Sequence, residues 1–168
     1  IILNAFSILN QKGIDFELTI VGDGILLPKL KALAYRMKIE NKVNFTGRIP
    51  NTILPELLQN SNIYISMPIT EGVSASLFEA MASNCYPIVT DIPGNQSWIT
   101  DYENGRLIPI DDYRMLANAI LWAFENSETR NATVLKNRKF IEENVDFNTN
   151  MKIIANKYHD LINTSKIK

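Results

Sequence analysis

The chain has 168 residues, 46% of them hydrophobic and 21% charged, proportions that suit one globular domain with a single buried core. Its 17 lysines and arginines against 18 acidic residues leave a formal charge of -1, so no net field draws in nucleic acid or an anionic membrane, and nucleic acid is not an expected partner. No apolar run approaches the roughly 20 residues of a membrane span, and the opening "IILNAFSILNQKG" lacks the basic leader and cleavage site of a signal peptide, so a cytoplasmic location is expected.

In chain order, the apolar spacing of "ILNAFSILN" predicts a helix with Ile2, Ala5, Phe6 and Leu9 on one face. "FELTIVG", 16 to 22, reads as a strand. From about Leu26 to Lys38, Leu26, Leu30, Leu33, Ala34 and Met37 recur at helical spacing. "KVNFTG", 42 to 47, is a short strand, "ILPELLQNS" a short helix, and "NIYISMP", 62 to 68, a strand expected to be buried on both faces. "SASLFEAMAS" is helical, "YPIVTD" is a strand and "GRLIPI" a shorter one. From Asp112 onward the pattern is helical, over roughly 112 to 126, 129 to 143 and 148 to 163. The sequence contains no internal repeat and no low-complexity linker. Strands alternating with helices predict an α/β domain built on a doubly wound parallel sheet with helices on both faces. Cys85, the one cysteine, allows neither an internal disulfide nor a cysteine-based zinc site, and its apolar neighbours predict a small buried side chain.

Such sheets collect ligands at the carboxyl ends of their strands, where helix N-termini offer free N–H groups and a favourable dipole to anions. Three loops are placed for this: "VGDG" (21–24), "PITEGVSAS" (68–76) and "DIPGNQSW" (91–98). Gly22, Gly24, Gly72 and Gly94 either let the backbone approach a ligand or serve only tight turns.

Glu71 and Glu79 stand eight positions apart around small residues. A helix opening near Ser76 would hold Glu79 in its first turn and leave Glu71 in the preceding loop, so that both face one mouth. Carboxylates accept hydrogen bonds from vicinal hydroxyls, so a pair flanking an anion-binding helix end suits a molecule with sugar hydroxyls on either side of phosphate. Structural readings stand beside this one. "SLFE" fits a capping box with Ser76 as N-cap and Glu79 reaching back, and Glu71 fits a solvated loop carboxylate.

"EGVSASLFEAMA" resembles the E-x7-E motif of the retaining glycosyltransferases of family 4, the glycosyl transferases group 1, which include capsule and lipopolysaccharide enzymes of GT-B fold. The resemblance extends in order through "LTIVGDG", "KVNFTGRIP", "NIYISMPITEG", "YPIVTDIPGNQSWI" and "ENGRLIP". It implies that the whole chain, 1 to 168, is the Rossmann-like donor-binding domain of a two-domain enzyme. By the same resemblance, Glu71 is the catalytic-site carboxylate on the transferred sugar and Glu79 holds the ribose. The backbone of Gly72, Val73, Ser74, Ala75, Ser76 and Leu77 would take the sugar and diphosphate. Gly22 and Gly24 would line the nucleotide side, with Arg48 and Ile49 beside the base, although Arg48 reads equally as an ordinary surface arginine. The resemblance implies a UDP- or GDP-linked sugar as substrate, no cofactor, no protein-held metal, and transfer with retention of configuration to a glycan or lipid-linked acceptor. The acceptor, and any peripheral membrane contact, would belong to an absent N-terminal domain.

Departures from the family pattern are Ser74, where many members have glycine, and Ser97, where they often have glutamate. The family's first strand and its basic Gly-Arg and Lys-Gly loop are also missing, since the chain opens within the following helix and "QKG" at 11 to 13 lies beyond it. By the usual strand order that missing strand would lie between "FELTIVG" and "NIYISMP", so these two should not pair directly. His159, the one histidine, falls in the last helix as a packed or solvated residue. A nucleotide-sugar epimerase of the same architecture and a noncatalytic nucleotide-sugar-binding module are the rival readings, and "DIPGNQ" favours the transferase.

Overall fold

The structure, a computed structural model, describes residues 1–165. Its elements in order are α1 (Ile2–Gln11), β1 (Leu18–Val21), α2 (Leu27–Arg36), a 3-10 turn (Glu40–Lys42), β2 (Val43–Gly47), α3 (Leu54–Gln59) and β3 (Ile63–Ser66). There follow α4 (Ala75–Ala82), β4 (Tyr86–Thr90), α5 (Pro93–Gln96), β5 (Arg106–Ile108), α6 (Tyr113–Glu125), α7 (Ser127–Asn144) and α8 (Phe147–Ser165). The short helix α5 is the one helix that apolar spacing did not predict, because a four-residue helix is too short to show a period.

Helices α1, α2 and α4 end in the same way. Lys12, Met37 and Ser83 are the C-caps, and the next residues, Gly13, Lys38 and Asn84, take positive φ. Ile14, Ile39 and Cys85 then donate backward to the carbonyls of Leu9, Ala34 and Ala80 at 3.0, 3.1 and 2.9 Å. This is the Schellman termination, which satisfies free carbonyls and turns the chain back into the core. It explains "QKG" as a helix stop. Burial of Cys85 pushes its thiol up to about 11, and the thiol donates to the Leu58 carbonyl at 3.1 Å.

The strands form two parallel pieces, β1–β2 and β3–β4–β5. As the expected strand order required, β1 and β3 are not paired. One hydrophobic cluster nevertheless spans both pieces, joining Leu18 and Val43 to Tyr86, Ile88 and Ile108 through α1 and α6. The opposite face of β4 carries a second cluster in which Leu77 and Met81 of α4 and Ile141 of α7 meet Val89. Helices therefore cover both faces, as predicted.

Two local expectations fail. Strand β3 is half-buried along its length rather than fully buried, because it has a neighbour, β4, on one edge only. Leu26 precedes α2 instead of lying on its apolar face, and is 59% exposed; Pro28 at the second helical position sets the helix start one residue later. Helix α8 keeps Phe147, Met151, Ile154, Tyr158 and Leu161 exposed, and His159 lies exposed on it. No helix among the described residues is long and apolar enough to cross a membrane.

The pairing pattern sets an expectation for hydrogen exchange. Amides of β4 should exchange only through global unfolding, whereas the β3 amides facing away from β4 should exchange by local opening and far faster. Equal protection of the two strands, measured by NMR, would show the outer edge of β3 to be covered.

Candidate functional site

Two pairs of loops gather at strand ends. In the first, β1 and β2 finish together: the ladder shifts register at Ile20 and Val21, and Gly22 bridges to Gly47 with its N–H on the Gly47 carbonyl at 2.9 Å. Gly22 holds φ +130°, a conformation that side chains rarely adopt. Asp23 then accepts from the Gly24 N–H at 2.8 Å. The bridge brings the "GDG" turn beside Arg48 and Ile49, so these four predicted residues share one place. Arg48 is exposed and Ile49 half-buried.

The second pair joins the loop after β3 to the loop after β4. A Cβ at Gly94 would collide with the Gly72 carbonyl oxygen and lie 2.5 Å from that of Glu71. The protein's own backbone therefore leaves no room for a side chain at Gly94. Asn95, 1% exposed, fixes this corner by donating to the Thr90 carbonyl at 2.8 Å. Behind it, Trp98 packs edge-on against Phe78 of α4 at 4.7 Å between ring centroids. Gly24 and Gly72 have open space where a Cβ would stand. Ser97, the position read as a departure, donates to the Pro93 carbonyl at 3.1 Å.

Glu71 is half-buried, and its Oε2 is buried with no hydrogen-bond partner. An acceptor in that state is unusual and marks a place where a donor is wanted. Next to it in sequence, Gly72 and Val73 are exposed and Ser74 is buried. Helix α4 begins at Ala75 with Ser74 as N-cap, which corrects the expected start at Ser76. Glu79 is therefore the fifth helical residue and lies in the second turn, too far down to close a capping box. Ser76 is instead bound to the hydroxyls of Tyr64, at 2.7 Å, and Ser74, at 3.0 Å.

Glu79 is still placed for its side chain to lean toward the helix opening. It shares a face with Ala75 one turn earlier, both are exposed, and helical side chains lean toward the N-terminus. The first-turn amides of Ala75 and Ser76 have no intrahelical partner by geometry. The arrangement offers free N–H groups to an anion, with one carboxylate in the loop above and another one turn below. No hydrogen bond joins these groups to the Gly22 and Arg48 loops among the described residues. Two exposed apolar side chains in the same loops escaped sequence analysis, Ile25 (95%) and Ile69 (71%), and Val73, expected there for its backbone, is also exposed (62%). Tyr64 also escaped it, because a tyrosine inside an apolar strand run reads as core.

A parallel α/β domain with helices on both faces is the architecture of the C-terminal domains of GT-B glycosyltransferases. The family model for "Glycosyl transferases group 1" matches residues 1–140, and the chain belongs to that family. The amylovoran biosynthesis glycosyltransferase AmsK of Erwinia amylovora is 30% identical over 125 residues, 71% of this chain and 31% of its own length. Among solved structures, Anabaena Alr3699/HepE in complex with UDP matches with a TM-score of 0.85 at 18% identity, over 95% of this chain and 44% of that one. The C-terminal domain of a glycosyl transferase group 1 family protein (LpcC) from Francisella tularensis gives 0.77 at 20% identity, over 86% of this chain and 77% of that domain. The chain spans about a third of the length of the curated relatives it matches.

The Gly94 contact can be tested without any ligand. Gly94→Ala should lower unfolding stability by about 3 kcal/mol, since the new methyl meets backbone that cannot swing aside. Gly72→Ala, with open space around it, should stay within about 0.5 kcal/mol of the parent. Urea titration of both variants measures the contrast, and equal values would show that the two loops do not press together.

Proposed function

We propose that this chain is the nucleotide-sugar-binding half of a glycosyltransferase of polysaccharide biosynthesis, whose other half binds a glycan or lipid-linked acceptor. The observation that carries the reading is the buried, unpartnered Oε2 of Glu71 beside the open N-terminus of α4. In this reading the backbone from Gly72 to Leu77 holds the diphosphate, and Glu79 accepts from the ribose hydroxyls. Gly22 and Gly24 lie along the nucleotide, and Arg48 with Ile49 borders the base. The UDP bound to the Anabaena structure and the match to a C-terminal domain support this division.

Glu71 has the part that depends on charge. Its free oxygen accepts from hydroxyls of the transferred sugar, and that contact strengthens as positive charge develops at the anomeric carbon. Transfer proceeds with retention of configuration, the acceptor attacking the face that the diphosphate leaves. Fixed main-chain dipoles at the leaving group need no reorganisation during that step, and the loops supply the positioning that brings donor and acceptor together.

Two substitutions in the full-length protein test this. Glu79→Gln should weaken UDP or GDP and the nucleotide sugar alike, by about ten- to a hundredfold for a charge-assisted hydrogen bond. Glu71→Gln should leave diphosphate affinity nearly intact and lower turnover by a similar factor, because its contact is made to the sugar and tightens in the transition state. Calorimetry against UDP and GDP, with a transfer assay over a donor panel, reads both quantities. Wild-type affinity and rate in both variants would overturn the reading, and sugar epimerisation without acceptor would replace transfer with isomerisation.

A further inference from the structure

Helix α4 opens with a serine placed to cap it, yet the cap is not made. Ser74 has φ -84° and ψ 110°, the extended geometry of an N-cap, but its side chain accepts from no first-turn N–H. The hydroxyl is drawn sideways. Ser74 Oγ lies 3.0 Å from Ser76 Oγ, which lies 2.7 Å from the phenol oxygen of Tyr64. Ser74 is 5% exposed, so its hydroxyl is not turned away merely by competition from bulk water.

The anchor of this chain of hydroxyls is rigid. Tyr64 belongs to β3, where it pairs in register with Pro87 of β4. It packs against two clusters, that of Leu77, Met81 and Val89 and that of Leu58, Ala80 and Cys85. A side chain held by two clusters has few places for its hydroxyl.

We infer that Tyr64 is a positioning residue which, through Ser76, keeps the Ser74 hydroxyl from capping α4, so that the first-turn amides remain free for the diphosphate of the donor. The inference rests on the reading that α4 binds that diphosphate. A serine cap and a phosphate oxygen compete for the same N–H groups, and a ligand that must displace a cap binds more weakly by the worth of that cap. For a serine cap of about 1 kcal/mol the factor is about fivefold.

The test is calorimetric titration of the full-length protein with UDP and GDP. Tyr64→Phe should bind the diphosphate about fivefold more weakly, because Ser76 and then Ser74 are released and Ser74 caps the helix. Adding Ser74→Ala to that variant removes the hydroxyl at the N-cap position, so the double variant should bind more tightly than Tyr64→Phe alone. A merely structural tyrosine predicts the reverse, a second deletion that leaves affinity unchanged or lowers it further. Ser76→Ala releases Ser74 from the other side and should show the same loss and the same partial recovery with Ser74→Ala, which guards against a folding defect peculiar to one variant. Wild-type affinity in Tyr64→Phe and Ser76→Ala, or a loss that Ser74→Ala does not relieve, overturns the inference while leaving the donor site standing. A parent protein that binds neither diphosphate overturns the donor reading and this inference with it.

Discussion

Burial of β4 on both faces is the constraint on which the rest depends. All five of its residues are buried. Tyr86 and Ile88 face the cluster that holds α1 and α6, while Val89 faces that of α4 and α7. One strand is thus the shared wall of two cores. Burial also pushes the Tyr86 phenol up to about 12, the nearby charge of Arg106 pulling it down and that of Asp101 pushing it further up. Those two residues form the ion pair beneath the strand. Arg106, 4% exposed, bonds Asp101 at 2.9 Å and lies 3.7 Å over the Tyr102 ring. Asp101 also accepts from the Leu107 N–H, so the buried charge is matched on several sides, the condition under which such a pair is tolerated.

From that wall the site follows by short, stiff steps. Asn95 ties α5 to the last residue of β4, Gly94 presses the same corner onto Glu71 and Gly72, and Trp98 backs α4 through Phe78. The "PGN" segment therefore acts on the glutamate loop from behind. A shift of β4 would move Glu71 without any change in the residues around the carboxylate.

The sequence made the order of elements legible because each strand and most helices carry their own apolar period. A proline such as Pro87 is out of place in most central strands. It is accommodated because pairing with β5 begins one residue later, at Ile88 with Arg106, so the missing N–H leaves no gap in the ladder. The register at the start of α4 was not legible. Ser74 and Ser76 are equally good caps by residue type, and only Ser76 has a glutamate three positions on, so local rules favoured the wrong one. The Ser76 hydroxyl is instead engaged by Tyr64, twelve residues away in sequence, and no local pattern contains that contact. The half-buried state of β3 was hidden for the same reason, since an apolar run does not say how many edges of the strand are paired.

This division between local and tertiary information bears on how such a site tolerates sequence change. The groups gathered at the strand ends are mostly main-chain: N–H groups at the start of α4 and two backbone turns. Main-chain groups impose shape on the sequence rather than residue type, through the positive φ of Gly22 and the absence of a Cβ at Gly94. In the function proposed above, the side chains with chemical demands are chiefly the carboxylates of Glu71 and Glu79. A TM-score of 0.85 at 18% identity is what such an arrangement permits for the fold. At position 74 the arrangement carries a side chain as well, and the buried Ser74 hydroxyl lies 3.0 Å from that of Ser76, so its orientation is set by contacts inside the domain rather than by solvent.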